Sequence, residues 1–186
     1  MTEVIEGQRT FTVEEYHRMG EAGVFGPDER VELIWGVIRE MSPKGRRHSV
    51  AVGLAMNLFV RRLEGRGGVQ IQDAISLAGI RSEPEPDIVV NSNPDLRKLR
   101  TEKSRPLLVI EVSDSSLRFD RDQKAQLYAK GDIPEYWIVN LVNDVLEVFR
   151  DPQDGAYQTT LVLKPTDTVT PVSFSDLEIA VSDLLP

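Results

Sequence analysis

The apolar positions of this chain change period several times, and each change marks an element. Thr12 followed three residues later by Glu15 has the spacing of a capping box, so a short amphipathic helix is predicted to start there, to turn Tyr16 and Met19 inward and to end near Gly20. VELI and VIREM, joined through Trp35-Gly36, alternate as a β-hairpin does. From His48 to Leu63, Val50, Leu54 and Leu58 recur at i+4 with Ala51 and Ala55 beside them, which predicts a core-facing helix closed by Gly65, Gly67 and Gly68. Val69, Ile71, Ile75 and Leu77 then fall on one parity, as a half-buried strand requires. DIVVN and PLLVIEV are dense in aliphatic and β-branched residues, the pattern of central strands covered on both faces. Residues 119–130 read as a helix closed at Gly131. The runs EYWIVNLV, DVLEVFRD and AYQTTLVLK predict a meander, with turns at Asn143-Asp144 and Asp154-Gly155. A last strand and a helical turn are expected in SDLEIAVSDLLP. No internal repeat, low-complexity tract or linker interrupts the pattern, so one α+β domain is the economical reading.

Composition narrows the function classes. At 186 residues, 40% of them apolar and 28% charged, the chain suits one domain folding by core burial. It holds no apolar run of membrane-spanning length, and the acidic start MTEVIEG lacks the basic and apolar regions of a signal peptide; a cytoplasmic protein with no membrane partner is expected. With no cysteine and two histidines, thiolate chemistry, sulfur-based zinc sites and a His-rich metal cage drop out. The net charge of −8 opposes indiscriminate nucleic-acid binding, yet it is unevenly spread. Six basic residues face one acid between Lys44 and Arg66, and five face one acid from Arg97 to Arg105, +9 together against −17 elsewhere. Arg46, Arg47, Arg97, Lys98 and Arg100 are therefore candidate phosphate contacts, the alternative being solvated basic faces.

Acids standing where apolar residues belong carry the chemistry. In LLVIEV, Leu107, Val109 and Glu111 share one strand face, so a carboxylate ends a core-type row; Asp87 opens DIVVN directly after Pro86. An ionised carboxylate is costly to bury without a cation or a full set of hydrogen bonds, and two on neighbouring strands also repel. A Mg²⁺ ion would relieve both costs. The alternative is that Asp87 holds a turn and Glu111 pairs with a buried basic residue. Ser113, Ser115 and Ser116 have no G-x-S-x-G setting, no Gly-rich phosphate loop is present, and Tyr136 and Trp137 read as core or interface rather than a stacking platform.

The run Pro86-Asp87, the strand ending Glu111-Val112 and Lys124 on the following helix resemble the PD-(D/E)xK, or restriction-endonuclease-like, nuclease superfamily. More closely, the ordered set VELIWG, His48, EPDIVV, LLVIEVSDSS, Asp120, Lys124, Tyr128 and IPEYWIVN is similar to the Uma-type family of restriction endonucleases, over roughly residues 12–177. The resemblance implies one restriction-endonuclease-like domain over residues 1–186, with a central mixed β-sheet flanked by helices and a C-terminal β-meander. It implies a divalent-metal-dependent endonuclease acting on DNA, with Asp87 and Glu111 binding Mg²⁺ or Mn²⁺ and Lys124 orienting water or stabilising the charged transition state. Ser113 stands where the superfamily's usual lysine would, two residues beyond the glutamate, so the amine is assigned to Lys124. Without that role, Lys124 would form a surface i,i+4 pair with Asp120. Glu32 and His48 match further family positions and are placed as auxiliary residues; Glu32 is otherwise an exposed hairpin acid, and His48 a hydrogen-bonded helix-start residue. A homodimer is expected by analogy, because cutting both strands of a duplex favours two-fold symmetry. The rival from another class is a catalytically silent or regulatory binding module on the same fold.

Overall fold

A computed structural model describes residues 7–98 and 104–186. The chain organises into two compact units, Met1–Pro43 with Ala74–Glu85, and Lys44–Asp73 with Pro86–Pro186.

In the first unit, helix α1 (Val13–Glu21) starts at a reciprocal capping box: the Glu15 amide donates to Thr12 Oγ1 at 3.2 Å, and the Thr12 amide to the Glu15 carboxylate at 3.0 Å. Strands β1 (Val31–Ile34) and β2 (Val37–Glu40) form the expected hairpin. Its turn has positive φ at both Trp35 (54°) and Gly36 (76°), the left-handed pair that matches strand twist. Trp35 accepts a strained backbone there, and its amide is held by Ser82 Oγ at 2.8 Å. Gly36 has no substitute, since a Cβ would come within 2.7 Å of Thr10 Cβ.

The second unit is a six-stranded sheet in the order β3-β4-β5-β6-β7-β8, comprising Gly68–Ile71, Ile88–Asn91, Pro106–Ser113, Glu135–Asn140, Val145–Gln153 and Ala156–Leu163. All neighbours are antiparallel except β5 and β6, which run parallel. A parallel pair needs a crossover. It is supplied by a helical stretch made of α3 (Leu117–Phe119), a π-helical turn (Asp120–Lys124) and α4 (Ala125–Lys130). The meander and the central position of DIVVN and PLLVIEV are as the pattern predicts. A short pair, β9 (Thr168–Val169) with β10 (Ile179–Ala180), and a 3₁₀ turn at Val181–Leu184 complete the unit.

One sheet face carries Ile88, Val90, Leu108, Ile110, Val112, Trp137, Val139 and Val148, and forms the main core with α2 (Arg46–Leu63) and the C-terminal residues Phe174, Leu177 and Val181. The helix buries Ala51, Ala55 and Phe59; Val50 and Leu54, expected to face the core, are 44% and 37% exposed. Two i+4 series run side by side on this helix, and the one with small residues lets the backbone approach the sheet and seat Phe59 against Trp137, ring centroids 5.9 Å apart. The predicted long strand after α2 is also shorter, ending at Ile71. Gly68 marks a close approach, since a Cβ there would lie 2.4 Å from the Asn93 carbonyl. The opposite sheet face carries Glu111, Tyr136, Ile138 and Phe149, with Tyr128 of α4 packed on Tyr136 at 4.9 Å between ring centroids. No helix among the described residues is long and apolar enough to cross a membrane.

Candidate active site

β4 and β5 pair with Ile88 opposite Ile110, so one further step of register sets Asp87 opposite Glu111. Both acids are buried, at 5% and 4% exposure, inside the unit that holds the sheet. Asp87 is gripped through one oxygen: Oδ2 accepts from the Val112 amide at 3.0 Å and lies 2.9 Å from His48 Nε2. Its Oδ1 is approached by the Lys44 amine at 3.4 Å. Glu111 is gripped in the same lopsided way. Oε1 accepts from Lys124 Nζ at 2.8 Å and from Tyr128 hydroxyl at 2.7 Å, while Oε2 accepts, among the described residues, from the Asp87 amide at 3.4 Å.

The helical crossover explains how Lys124 arrives. Its π-helical turn, an irregularity that recurs at functional sites, buries Asp120, Gln123 and Lys124 together, and places Lys124 and Tyr128, one turn apart, on the same carboxylate. Lys124 is 5% exposed and so is no surface residue, although its charge still acts on Asp120. Asp120 accepts from the Ser113 and Ser116 hydroxyls, both at 2.6 Å. Ser113 thus ties the end of β5 to the first turn of the crossover.

Electrostatics separate the two acids. Burial, reinforced by the charges of Asp120 and Asp87, pushes the Glu111 carboxyl up to about 8 against the pull of Lys124. Burial also acts to raise Asp87, but the His48 hydrogen bond and charge, the Val112 amide and the Lys44 ammonium outweigh it and hold that carboxyl below its ordinary value. Burial raises Asp120 as well, against Lys124 and the two serine hydroxyls.

The donor set fits a hard divalent cation. Each acid keeps one oxygen thinly occupied, and a lysine ammonium at Asp87 Oδ1 shows that this oxygen attracts positive charge. Among the described residues no cluster of three or more Asp, Glu or His converges as a cage. Two carboxylates suit an ion of the Mg²⁺ type, which keeps several waters.

The remaining candidates are placed differently. Glu32 belongs to the first unit, on β1, where it is 5% exposed rather than an exposed hairpin acid, and its Oε2 takes the Glu85 amide at 3.4 Å. Arg46 is exposed in the first turn of α2, and Arg47 is tied to the Leu141 carbonyl at 2.8 Å and Asp144 at 2.7 Å. Arg97 and Lys98 are exposed on a 3₁₀ turn, Arg97 leaning on Asp95 at 3.3 Å; Arg100 lies outside the described residues. Sequence reasoning misses Lys44 as a neighbour of Asp87 and gives Tyr128 no role. Tyr128 has a signal, its i+4 spacing from Lys124; Lys44, in a Pro-Lys-Gly loop, has none.

Comparison with known proteins agrees with this architecture. A crystal structure of "a putative nuclease belonging to DUF820" from Anabaena variabilis ATCC 29413 superposes with a TM-score of 0.72 at 17% identity, over 94% of this chain and 97% of that one, and so shares the fold. No curated protein matches the chain. The Uma2 family, described as "Putative restriction endonuclease", matches residues 13–182, a span that takes in the hairpin, the opposed acids, the helical crossover and the meander. The chain belongs to the Uma2 family.

Proposed function

We propose that this protein is a divalent-metal-dependent endonuclease that hydrolyses DNA phosphodiester bonds at Asp87 and Glu111. The observation that carries the reading is the pair of buried carboxylates opposed across β4 and β5, each with one oxygen thinly held, beside a buried lysine. Asp87 Oδ1 and Glu111 Oε2 would hold Mg²⁺ or Mn²⁺. When bound, the ion supplies a water of lowered pKa and offsets charge on the phosphate. His48, through Oδ2, is a positioning residue that fixes the Asp87 carboxylate, as the Val112 amide does. Tyr128 shares Glu111 Oε1 with Lys124 and keeps that carboxylate oriented when the amine turns toward substrate. Lys124 then stabilises the charge that grows on the phosphate, an interaction made mainly in the transition state. Membership in a restriction endonuclease family supports a nucleic-acid substrate, and a homodimer suits scission of both strands of a duplex.

The test is cleavage of supercoiled, linear and single-stranded DNA with Mg²⁺, Mn²⁺ or EDTA. Wild type should cut only with metal. Lys124→Ala should lose cleavage while retaining metal and DNA binding, and Lys124→Arg should not restore it, because a broad guanidinium does not replace a compact ammonium. Metal-dependent DNA binding without cleavage by wild type would move the protein to the silent binding-module reading.

A further inference from the structure

A second lysine reaches the acids. Lys44 immediately precedes Gly45, the N-cap of α2, and its Nζ stands 3.4 Å from Asp87 Oδ1. That nitrogen is buried and makes no hydrogen bond among the described residues, although an ammonium carries three donors and is strongly hydrated in water. Asp87 Oδ2 is closed by His48 and the Val112 amide, so Oδ1 is the oxygen left for a metal, and Lys44 stands on its approach.

We propose that Lys44 is a built-in competitor of the divalent ion: in the metal-free protein its ammonium neutralises Asp87 at Oδ1, and an ion takes that oxygen only by displacing it. This rests on Asp87 and Glu111 being the metal-binding pair.

The two lysines of the site differ in how they are held. Lys124 makes a hydrogen bond of 2.8 Å to Glu111 Oε1, the oxygen that Tyr128 also fills. Lys44 touches the oxygen a metal needs, at a distance too long for a good hydrogen bond, on a flexible four-carbon stem. Two cations sharing one buried carboxylate oxygen repel with little screening, so the looser one leaves. Once displaced, the ammonium requires anionic oxygens, which a phosphodiester brought to the acids supplies. Lys44 also lies beside the first amides of α2, where no side chain caps the helix. Metal and phosphate therefore favour each other's binding through the lysine that one displaces and the other receives. Before substrate arrives, the same lysine offsets the buried charge of Asp87.

The test is calorimetric titration with Mn²⁺, without nucleic acid, of wild type, Lys44→Met, Lys44→Arg and Asp87→Asn. Lys44→Met should bind Mn²⁺ about tenfold more tightly than wild type, a coupling of ordinary size between two ligands of one site. Lys44→Arg, which keeps the charge, should stay close to wild type, and Asp87→Asn should lose binding. Lys44→Gln gives the same comparison with a neutral polar side chain, should the methionine variant fold poorly. Equal or weaker Mn²⁺ binding by the neutral variants, with wild-type binding still lost in Asp87→Asn, overturns the role of Lys44 and leaves the metal site standing. Absence of binding by wild type and by both neutral Lys44 variants overturns both.

Discussion

Glu135 and Glu147 are as deeply buried in the sheet unit as Asp87 and Glu111, yet the two pairs are treated differently by their surroundings. Glu135 is filled on both oxygens: Oε1 accepts from the Trp137 indole and from Arg150, both at 2.8 Å, and Oε2 from the Val172 amide at 2.7 Å. Glu147 takes a two-pronged Arg121 guanidinium and the Asn140 amide. Those acids have what a buried carboxylate needs for stability alone. Asp87 and Glu111 each have one oxygen well served and one nearly bare, facing lysines instead of arginine forks. Burial by itself does not distinguish a structural acid from a reactive one. What differs here is how fully each carboxylate is satisfied, by an arginine or by a lysine.

Breaking the contrast at its structural side should give the largest effect. Arg150→Met leaves Glu135, fully buried, without its counter-charge, and should destabilise the protein by about 3–5 kcal/mol in urea denaturation. The response of the melting temperature to Mg²⁺ or Mn²⁺ should survive in whatever fraction still folds. If the loss is below about 1 kcal/mol, the Glu135 network is not a fixed structural counterpart of the metal pair.

On the other side, metal should stabilise wild type by mass action, about 2.7 kcal/mol at a hundred times its dissociation constant, read as a rise in melting temperature. Asp87→Asn should remove most of that rise while shifting the metal-free melting temperature far less than Arg150→Met does. A metal response unchanged in Asp87→Asn would move the ion to another site.

The smallest effect on folding is expected from the basic 3₁₀ turn. The Arg97 side chain is 94% exposed, so Arg97→Glu with Lys98→Glu should leave the melting curve nearly unchanged. If both touch phosphates, the salt dependence of DNA binding should flatten by a slope of about two. An unaltered slope would show that DNA lies elsewhere.

Much of this arrangement is legible in the chain because it depends on parity and order. Glu111 ends the row Leu107-Val109, and that alternation alone puts a carboxylate on a buried sheet face. Two central strands in succession also lead to the expectation that Asp87 lies on a neighbouring strand, whereas the antiparallel register that opposes it to Glu111 is set by the pairing itself. What the chain does not reveal depends on packing. The residues of α2 offer two i+4 series, and the sheet selects the one with Ala51, Ala55 and Phe59 because close approach favours small side chains. The π-helical turn at Asp120–Lys124 has no signature in hydrophobic period, so the inward aim of Lys124 follows from family resemblance rather than spacing. Glu135 and Glu147 carry no comparable signal because EYWIVN and DVLEVF read as ordinary meander strands; their partners Arg150 and Arg121 are remote in sequence or on another element.

If the proposed site is right, the thinly held oxygens of Asp87 and Glu111, not the filled ones, receive the metal. Anomalous diffraction from crystals grown with Mn²⁺ tests it most directly. A peak is expected at ligand distance from both Asp87 Oδ1 and Glu111 Oε2, about 2.1 Å for an ion of this kind, with Lys44 moved off Asp87 and the Glu135 and Glu147 networks unchanged. A peak elsewhere, or none at millimolar Mn²⁺ with Lys44 still against Asp87, would contradict it.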